Sequence, residues 1–204
     1  MNLLLFSDLH ADRAAARALA ARAADADVLV GAGDFTNVRD TRSLPVCLDV
    51  LKATGKPTVL VAGNNESTDE LAAACRGWAG CHVLHGSGAV VGGVAFYGVG
   101  GGIPVTPFGA WSYDFDEEQA AALLAAAPDG CVLVVHSPPK GVVDVSSRGG
   151  SIGSTAIRDA VVRVRPRLVV CGHVHGSGGQ AGELAGVPVV NAGPGGVSWD
   201  LHVR

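Results

Sequence analysis

Charged and aromatic residues are scarce in this sequence, making up 17% and 5% of its 204 positions. The formal net charge is −4 and lysines and arginines form no block, so neither an extended nucleic-acid interface nor binding to anionic membranes is expected. No wholly apolar stretch is long enough to cross a bilayer. The first ten residues, MNLLLFSDLH, lack the basic segment and cleavage site of a signal peptide.

Paired cysteines are missing as well. The five cysteines form no CxxC motif and no even-numbered framework, so we expect reduced thiols and a cytoplasmic location. Hydrophobic residues, in contrast, make up 48% of the chain, which is enough for a large core. Because no stretch resembles a linker, we predict a single domain that spans residues 1–204.

Short apolar segments alternate with alanine-rich segments along the chain. Five segments have the length and the branched side chains of buried strands, namely LLLF, VLVG, TVLVA, CVLVV and LVVC. Helices are predicted at 12–24, at 41–54, from a capping box at 67–70, at 116–127 and at 154–164. This alternation predicts an α/β fold with much parallel sheet.

Two further regions have a different pattern. Residues 83–99 contain a central Gly-Gly and are predicted to form a β-hairpin. Residues 186–203 are predicted to form two strands joined by a Gly-Pro-Gly turn. Both pieces are expected to be antiparallel and to contribute to a second sheet.

Each of the five predicted strands is followed by side chains that can bind a metal ion. Ligands of open α/β sheets bind beyond the carboxyl ends of the strands, so these side chains are expected to share one edge. A single Asp or Asn there is usually a turn or capping residue, but ligand-type residues at all five exits are difficult to explain by turns. His82, His85 and His202 are expected to be ordinary packed or exposed side chains. The predicted metal ligands are Asp8, His10, Asp34, Asn64, His136, His173 and His175.

The chemistry of this ligand set indicates the kind of metal. Oxygen and imidazole ligands without cysteine suit Mn, Fe, Zn or Co, and we favour Mn. Seven ligands are too many for one such ion, so two divalent ions that share the carboxylate of Asp34 are predicted. Residues two apart in an extended chain point the same way, so Asp8 and His10 can face one site.

These motifs resemble those of the calcineurin-like metallophosphoesterases, which run D-x-H, G-D, G-N-H-E/D, H and G-H-x-H. The chain reads D-L-H at 8–10, G-D at 33–34, G-N-N-E at 63–66, H at 136 and G-H-V-H at 172–175. Its second half is similar to the small branch related to cyclic-nucleotide phosphodiesterases. The resemblance implies a four-layer α/β/β/α sandwich of two mixed β-sheets flanked by helices.

The resemblance also implies a role for each ligand. One ion would be held by Asp8, His10 and His175, and the other by Asn64, His136 and His173, with Asp34 bridging them. A hydroxide between the ions would attack phosphorus in line, so that Asp34 and His136 would be catalytic. The implied activity is hydrolysis of a P–O ester bond, and a phosphodiesterase acting on a small or nucleotide-like substrate is favoured. A phosphomonoesterase and a catalytically weak scaffold that binds a protein partner are the alternatives.

One position departs from the family pattern. Asn65 replaces the histidine of the G-N-H-E motif, and an amide cannot act as a general acid at neutral pH. The enzyme could prefer esters with good leaving groups, use another proton donor such as water or His85, or have low catalytic activity. Our hypothesis is that Asn65 donates a hydrogen bond to a phosphate oxygen of the substrate.

Four further features have two interpretations each. Glu66 could tune a ligand, although a carboxylate at a helix start is favoured. Asn37 could orient Asp34 or the next helix, with equal weight. Residues 98–104 could line the site, although a flexible connector is slightly favoured. Arg148 could bind a substrate phosphate through two hydrogen bonds or be an ordinary surface arginine.

Overall fold

The computed structural model describes residues 1–202, which form eleven strands and five α-helices. The strands are β1 (Asn2–Phe6), β2 (Val28–Ala32), β3 (Thr58–Val61), β4 (Cys81–Val83), β5 (Ser87–Val91), β6 (Val94–Val99), β7 (Val132–Val135), β8 (Leu168–Cys171), β9 (Ala181–Leu184), β10 (Val187–Asn191) and β11 (Val197–Asp200). The helices are α1 (Arg13–Arg22), α2 (Leu44–Lys52), α3 (Thr68–Ala74), α4 (Glu117–Leu124) and α5 (Thr155–Val164).

The strands form two mixed sheets. The first has the order β11-β1-β2-β3-β4, in which β1 to β4 are parallel and β11 is antiparallel to β1. The second has the order β5-β6-β7-β8-β10-β9, in which the four central strands are parallel and the two edge strands are antiparallel. The predicted α/β fold with two sheets is therefore confirmed.

Alternating side chains of the central strands fill three apolar layers. Leu3 and Leu5 of β1 point into the layer between the two sheets, where they join residues of the second sheet such as Val134. Leu4 and Phe6 of the same strand point to the opposite face and pack with α1, α2 and α3. A third layer lies between the second sheet and helices α4 and α5. This arrangement is the expected four-layer α/β/β/α sandwich.

Four of the five helices begin at residues whose side chains accept backbone hydrogen bonds, whereas α2 lacks such a cap. Ser67 accepts from the amide of Glu70, and the Glu70 carboxylate accepts from the amide of Ser67, so the predicted capping box is present. Asp116 and Gln119 form a second capping box at α4. These caps satisfy backbone donors that the first turn of a helix leaves unpaired, and they fix where each strand-to-helix loop ends.

The two regions with a different pattern are arranged otherwise than predicted. The hairpin consists of β5 and β6 alone, and Val83 belongs to β4 in the other sheet. Within 186–203, β10 and β11 do not pair, because β10 lies in the second sheet and β11 in the first. The Gly-Pro-Gly turn therefore carries the chain from one sheet to the other. Val203, at the end of that predicted region, lies outside the described residues.

The parallel strands of both sheets end at the same side of the sandwich, and the loops that follow them build the candidate site. A helix of sufficient length and hydropathy to span a membrane does not occur among residues 1–202.

Candidate metal centre

All seven predicted metal ligands lie at this edge of the sandwich. They follow strands β1, β2, β3, β7 and β8 within a few residues of each strand's end. Six of them form two groups whose ligand atoms lie within 4.8 Å of one another, and Asn64 adjoins the second group. The first cluster is Asp8, His10 and His175, and the second cluster is Asp34, His136 and His173.

The first cluster is open to solvent. The Nε2 atoms of His10 and His175 are 3.1 Å apart, and His175 Nε2 lies 3.4 Å from Asp8 Oδ1. The side chain of His175 is 64% exposed and that of His10 is 27% exposed. Two imidazole nitrogens and a carboxylate oxygen that converge on one point match the ligand types of a transition-metal site.

Asp34 and His136 of the second cluster are buried, and His173 is half-buried. His136 is fully buried, and its Nε2 lies 3.5 Å from Asp34 Oδ2 and 3.2 Å from Asn64 Oδ1. Its Nδ1 lies 2.7 Å from the carbonyl oxygen of Ala32. Because a carbonyl only accepts, Nδ1 must donate, which directs Nε2 towards the cluster. The ring of His173 lies beside that of His136, with centroids 4.9 Å apart.

Asp34, a member of the second cluster, also faces the first cluster. Its Oδ2 is 3.7 Å from His10 Nε2 and 3.5 Å from His136 Nε2, so one carboxylate oxygen faces a ligand from each cluster. This is the position that a bridging ligand of two ions requires. The structure brings together the residues that the family resemblance assigns to each of the two ions.

The backbone at the strand exits is tightly constrained. Asp8, His10, Asp34 and His173 have φ values of 55°, 44°, 58° and 64°, which is the left-handed region that non-glycine residues seldom adopt. A Cβ on Gly63 would lie 2.0 Å from Asp34 Oδ1, so that residue must be glycine for the loops to approach. Such strain is typical of functional sites, where the surrounding structure holds it in place.

Asn65 supports the carboxylate of Asp34. Its backbone amide donates to Asp34 Oδ1 at 2.9 Å, and its side-chain Nδ2 donates to Asp34 Oδ2 at 2.8 Å. Its Oδ1 accepts from the amide of Val38 at 2.7 Å. One hydrogen of the side-chain amide has no partner among residues 1–202, and Asn65 also lines the cavity over the clusters. A hydrogen bond to a substrate oxygen is thus compatible with this positioning role.

Glu66 is not the helix-start carboxylate that the sequence favours. It is fully buried, and its carboxylate accepts from the amides of Gly63 at 2.8 Å and Phe35 at 3.1 Å. It therefore joins the loops after β2 and β3, which carry Asp34 and Asn64. Burial and the negative charge of Asp34 raise the pKa of Glu66 to about 7.

Asn37 takes neither of its two predicted roles. Its Nδ2 donates to the carbonyl oxygen of His10 at 2.9 Å, so it fixes the loop of the first cluster rather than Asp34 or α2.

Asn191, which is absent from the predicted site residues, is fully buried and donates to the carbonyls of Gly172 and Val174 on either side of His173. The pattern of ligand-type residues at strand ends could have found Asn191, since it ends β10.

Charged side chains in the two clusters shift the pKa values of their neighbours. Burial alone would lower the pKa of His136, but the carboxylates of Asp34 and Asp8 outweigh burial and raise it to about 9. Burial opposes ionisation of Asp34, yet His136 and His10 hold its pKa well below the ordinary value. Burial and the charge of His136 lower the pKa of His173 to about 4. The buried carboxylates therefore favour positive charge at this position, which fits divalent cations.

A cavity of about 350 Å³ lies over the two clusters. Loops 105–112 and 145–153 form its rim, and Phe108 and Trp111 of the first loop stack with ring centroids 5.6 Å apart. Neither aromatic residue was identified from the sequence, because they lie in an irregular loop without periodicity. Arg148 lines a neighbouring cavity rather than this one.

The structure supports the expected packed role of His85 over its alternative role as a proton donor, and it changes the interpretation of most of residues 98–104. His85 packs against Tyr113 and Phe115, and its Nδ1 accepts from the amide of Gly100 at 3.2 Å, so it does not line the cavity as a proton donor. Residues 98–103 are buried rather than a flexible connector, since a Cβ on Gly100 would lie 2.5 Å from the carbonyl oxygen of Ala62. The rim of the cavity begins after residue 103.

The chain is similar to known proteins in both sequence and fold. The sequence model of the calcineurin-like phosphoesterase family matches residues 1–177. A search of curated proteins finds no match. The structure of TT1561 of Thermus thermophilus superposes with a TM-score of 0.78 at 18% identity, covering 98% of this chain and 99% of that one.

More distant solved structures share the fold. A dimetal phosphatase from Danio rerio superposes with a TM-score of 0.63 at 13% identity, covering 94% of this chain and 86% of that one. A purple acid phosphatase from yellow lupin seeds has a TM-score of 0.54 at 13% identity, over 100% of this chain and 46% of its own. With the family match, the two mixed sheets and the paired ligand clusters in agreement, the chain belongs to the calcineurin-like phosphoesterases.

Proposed function

We propose that this protein is a metal-dependent phosphodiesterase that hydrolyses a P–O bond in a small or nucleotide-like substrate with two divalent ions, manganese being favoured. The observation that carries the proposal is the convergence of two ligand clusters on either side of Asp34, below an open cavity. Bound divalent ions would polarise the phosphoester and lower the pKa of water at neutral pH.

The protein's own side chains would divide the remaining tasks. Asp8, His10 and His175 would hold the exposed ion, Asn64, His136 and His173 the buried ion, and Asp34 both. Asn65 would keep the Asp34 carboxylate in place through two hydrogen bonds and offer its remaining amide hydrogen to the substrate. The two hydrogen bonds to Asp34 support the positioning role of Asn65, whereas its contact with the substrate is part of the proposal.

The preference for diesters follows from the resemblance of the second half of the chain to the branch related to cyclic-nucleotide phosphodiesterases. The placement of Asn65 and His85 adds a second expectation, which concerns the leaving group. Asn65 cannot protonate a leaving group, and His85 is directed into an aromatic cluster away from the cavity. Hydrolysis should then depend strongly on the acidity of the leaving alcohol. Good leaving groups need no such donor, so aryl esters should be better substrates than alkyl esters of the same type.

Two measurements on the same preparation test this proposal. Elemental analysis should find two divalent ions for each chain, and bis(p-nitrophenyl) phosphate should be hydrolysed faster than p-nitrophenyl phosphate in Mn²⁺. Faster hydrolysis of the monoester would indicate the alternative phosphomonoesterase. Full metal occupancy without hydrolysis of either ester would contradict the enzymatic proposal and favour a scaffold. Asp34→Asn is the matched inactive control, and His202→Ala is the control for loss of an exposed imidazole.

A further inference from the structure

A second cavity, of about 460 Å³, adjoins the cavity over the metal clusters. The two cavities share four wall residues: Phe108, Ser146, Ile152 and His173. Since His173 is also a predicted metal ligand, a substrate whose phosphorus lies over the clusters could extend one substituent directly into the second cavity. The second cavity is therefore part of the same binding surface.

The walls of the second cavity expose apolar side chains. Val105, Phe108 and Ile152 are 61%, 50% and 43% exposed, and they are three of the eight large apolar residues that residues 1–202 leave exposed. Exposed apolar groups that gather beside a polar site are typical of a ligand surface. Trp111 stacks on Phe108 with an interplanar angle of 18°, which supports the Phe108 ring in a fixed orientation. A flat aromatic group would bury this surface best.

The same cavity carries two cations. Lys140 and Arg148 line it, whereas neither lines the cavity over the metal clusters, and among the described residues no carboxylate side chain lines the second cavity. Lys140 donates to the carbonyl oxygen of Ser151 at 2.6 Å and keeps two further ammonium hydrogens for a ligand. In a chain of net charge −4, two cations beside an apolar wall indicate an anionic ligand group.

Hydrogen bonds to Asp144 hold the loop that carries these groups. The buried carboxylate of Asp144 accepts from the amides of Gly141 and Gly153 at 2.9 and 3.0 Å and from the hydroxyl of Ser151. The amide of Ile152 donates to the carbonyl of Asp144 at 3.0 Å. These bonds occupy Asp144 and fix the backbone of the loop, so less of the loop must become ordered when a ligand binds.

We propose that the second cavity binds an aromatic ring against Phe108 and Ile152 and a second anionic group at Lys140 and Arg148. This inference rests on the proposed phosphodiesterase function and narrows its substrate class. The substrate would be a phosphoester whose non-leaving part carries both a planar ring and a further phosphate or carboxylate. Arg148 would then bind the second anion rather than the reacting phosphate.

Three substrates with one leaving group separate the two interactions. Methyl p-nitrophenyl phosphate lacks both features, thymidine 5′-(p-nitrophenyl phosphate) adds a ring, and its 3′-phosphorylated derivative adds a second anion. Binding energy from the remote groups should raise kcat/KM by about tenfold at each step. Because p-nitrophenolate leaves in every case, differences among the three report on the second cavity.

Variants identify the residues responsible through ratios of kcat/KM. Phe108→Ala should remove most of the advantage of the thymidine ester over the methyl ester. The double variant Lys140→Gln/Arg148→Gln should remove the further advantage of the 3′-phosphate. Arg17→Gln and Val162→Ala, at exposed positions on α1 and α5, should leave both ratios unchanged. Equal kcat/KM for all three substrates in the wild type, or ratios that the cavity variants do not change, would overturn the proposal.

A binding measurement keeps this inference separate from the enzymatic one. If no substrate is hydrolysed, the proposed function fails, and equilibrium dialysis of thymidine 3′,5′-bisphosphate decides about the cavity. Binding that is at least about tenfold weaker in the double variant than in Arg17→Gln supports the inference. Equal binding by the two variants contradicts it.

Discussion

The two ligand clusters use similar side chains in different surroundings. In the second cluster the side chains of His136 and Asp34 are 0% and 3% exposed, whereas in the first cluster that of His175 is 64% exposed. Electrostatic interactions are stronger where water is excluded. Asn65, Glu66 and the carbonyl of Ala32 support the second cluster. The hydroxyl of Ser7 and the amide of His173 donate to Asp8 and support the first. If two ions bind as proposed, the comparison predicts that the buried ion is held tightly and that the exposed one exchanges more readily.

Removing one imidazole from each cluster gives the largest expected contrast. His136→Ala should reduce kcat/KM by on the order of 1000-fold and lose the buried ion, because no water can easily replace a buried ligand. His175→Ala should cost about 10- to 100-fold and recover in millimolar Mn²⁺, because solvent can occupy its exposed position. Metal content after dialysis and kcat/KM as a function of Mn²⁺ would measure both effects.

A larger loss of activity at the exposed cluster than at the buried one would contradict this comparison. If His175→Ala lost more activity than His136→Ala, or if added Mn²⁺ restored only the buried-site variant, the exposed cluster would be the tighter one. His202→Ala, which removes a histidine side chain that is 90% exposed, is the control.

The pH dependence of metal binding should distinguish the two imidazoles of the second cluster. His136 has a pKa of about 9, above its ordinary 6.5, so it carries a proton at neutral pH that a metal ion must displace. The apparent Mn²⁺ affinity of the apoprotein should therefore rise about tenfold for each pH unit between about pH 7 and 9. His173, with a pKa of about 4, is already neutral throughout that range.

Calorimetric titration of the apoprotein in two buffers of different ionisation enthalpy would count the protons released. We expect at least one proton for each buried ion at about pH 7.5. An affinity that does not change with pH and a titration that releases no proton would contradict the raised pKa of His136.

The smallest expected contrast concerns the two supporting asparagines. Asn65→Ala should lower activity by about 10- to 100-fold, because it removes the side-chain donor to the shared carboxylate of Asp34. Asn37→Ala, which removes a contact to the carbonyl of His10, should cost only a few-fold. Asn65→His tests the missing proton donor, since it should reduce the dependence of kcat/KM on the pKa of the leaving alcohol.

A substrate series with increasing leaving-group pKa measures this dependence for Asn65→Ala, Asn65→His and the wild type. If Asn65→Ala had wild-type activity while Asn65→His were faster, Asn65 would neither position Asp34 nor contact the substrate.

The strand exits could be predicted from the sequence because both parts of the signal are local. An apolar run such as LLLF marks β1, and Asp8 follows it within two residues. The supporting contacts could not be predicted, because the partners are distant in the sequence. Glu66, for example, accepts a hydrogen bond from the amide of Phe35, and the two residues are 31 positions apart. A Gly-Pro-Gly turn is the same whether the chain stays in one sheet or crosses to the other, which explains the incorrect pairing of β10 and β11.

The central claim is that Asp34 joins two ions, and electron paramagnetic resonance of the Mn²⁺-loaded protein tests it most directly. Two ions about 3.5–4 Å apart across a shared carboxylate should give the multiline spectrum of an exchange-coupled pair. Asp34→Asn should give at most isolated ions. A six-line spectrum of uncoupled Mn²⁺ from the fully loaded wild type would contradict the account.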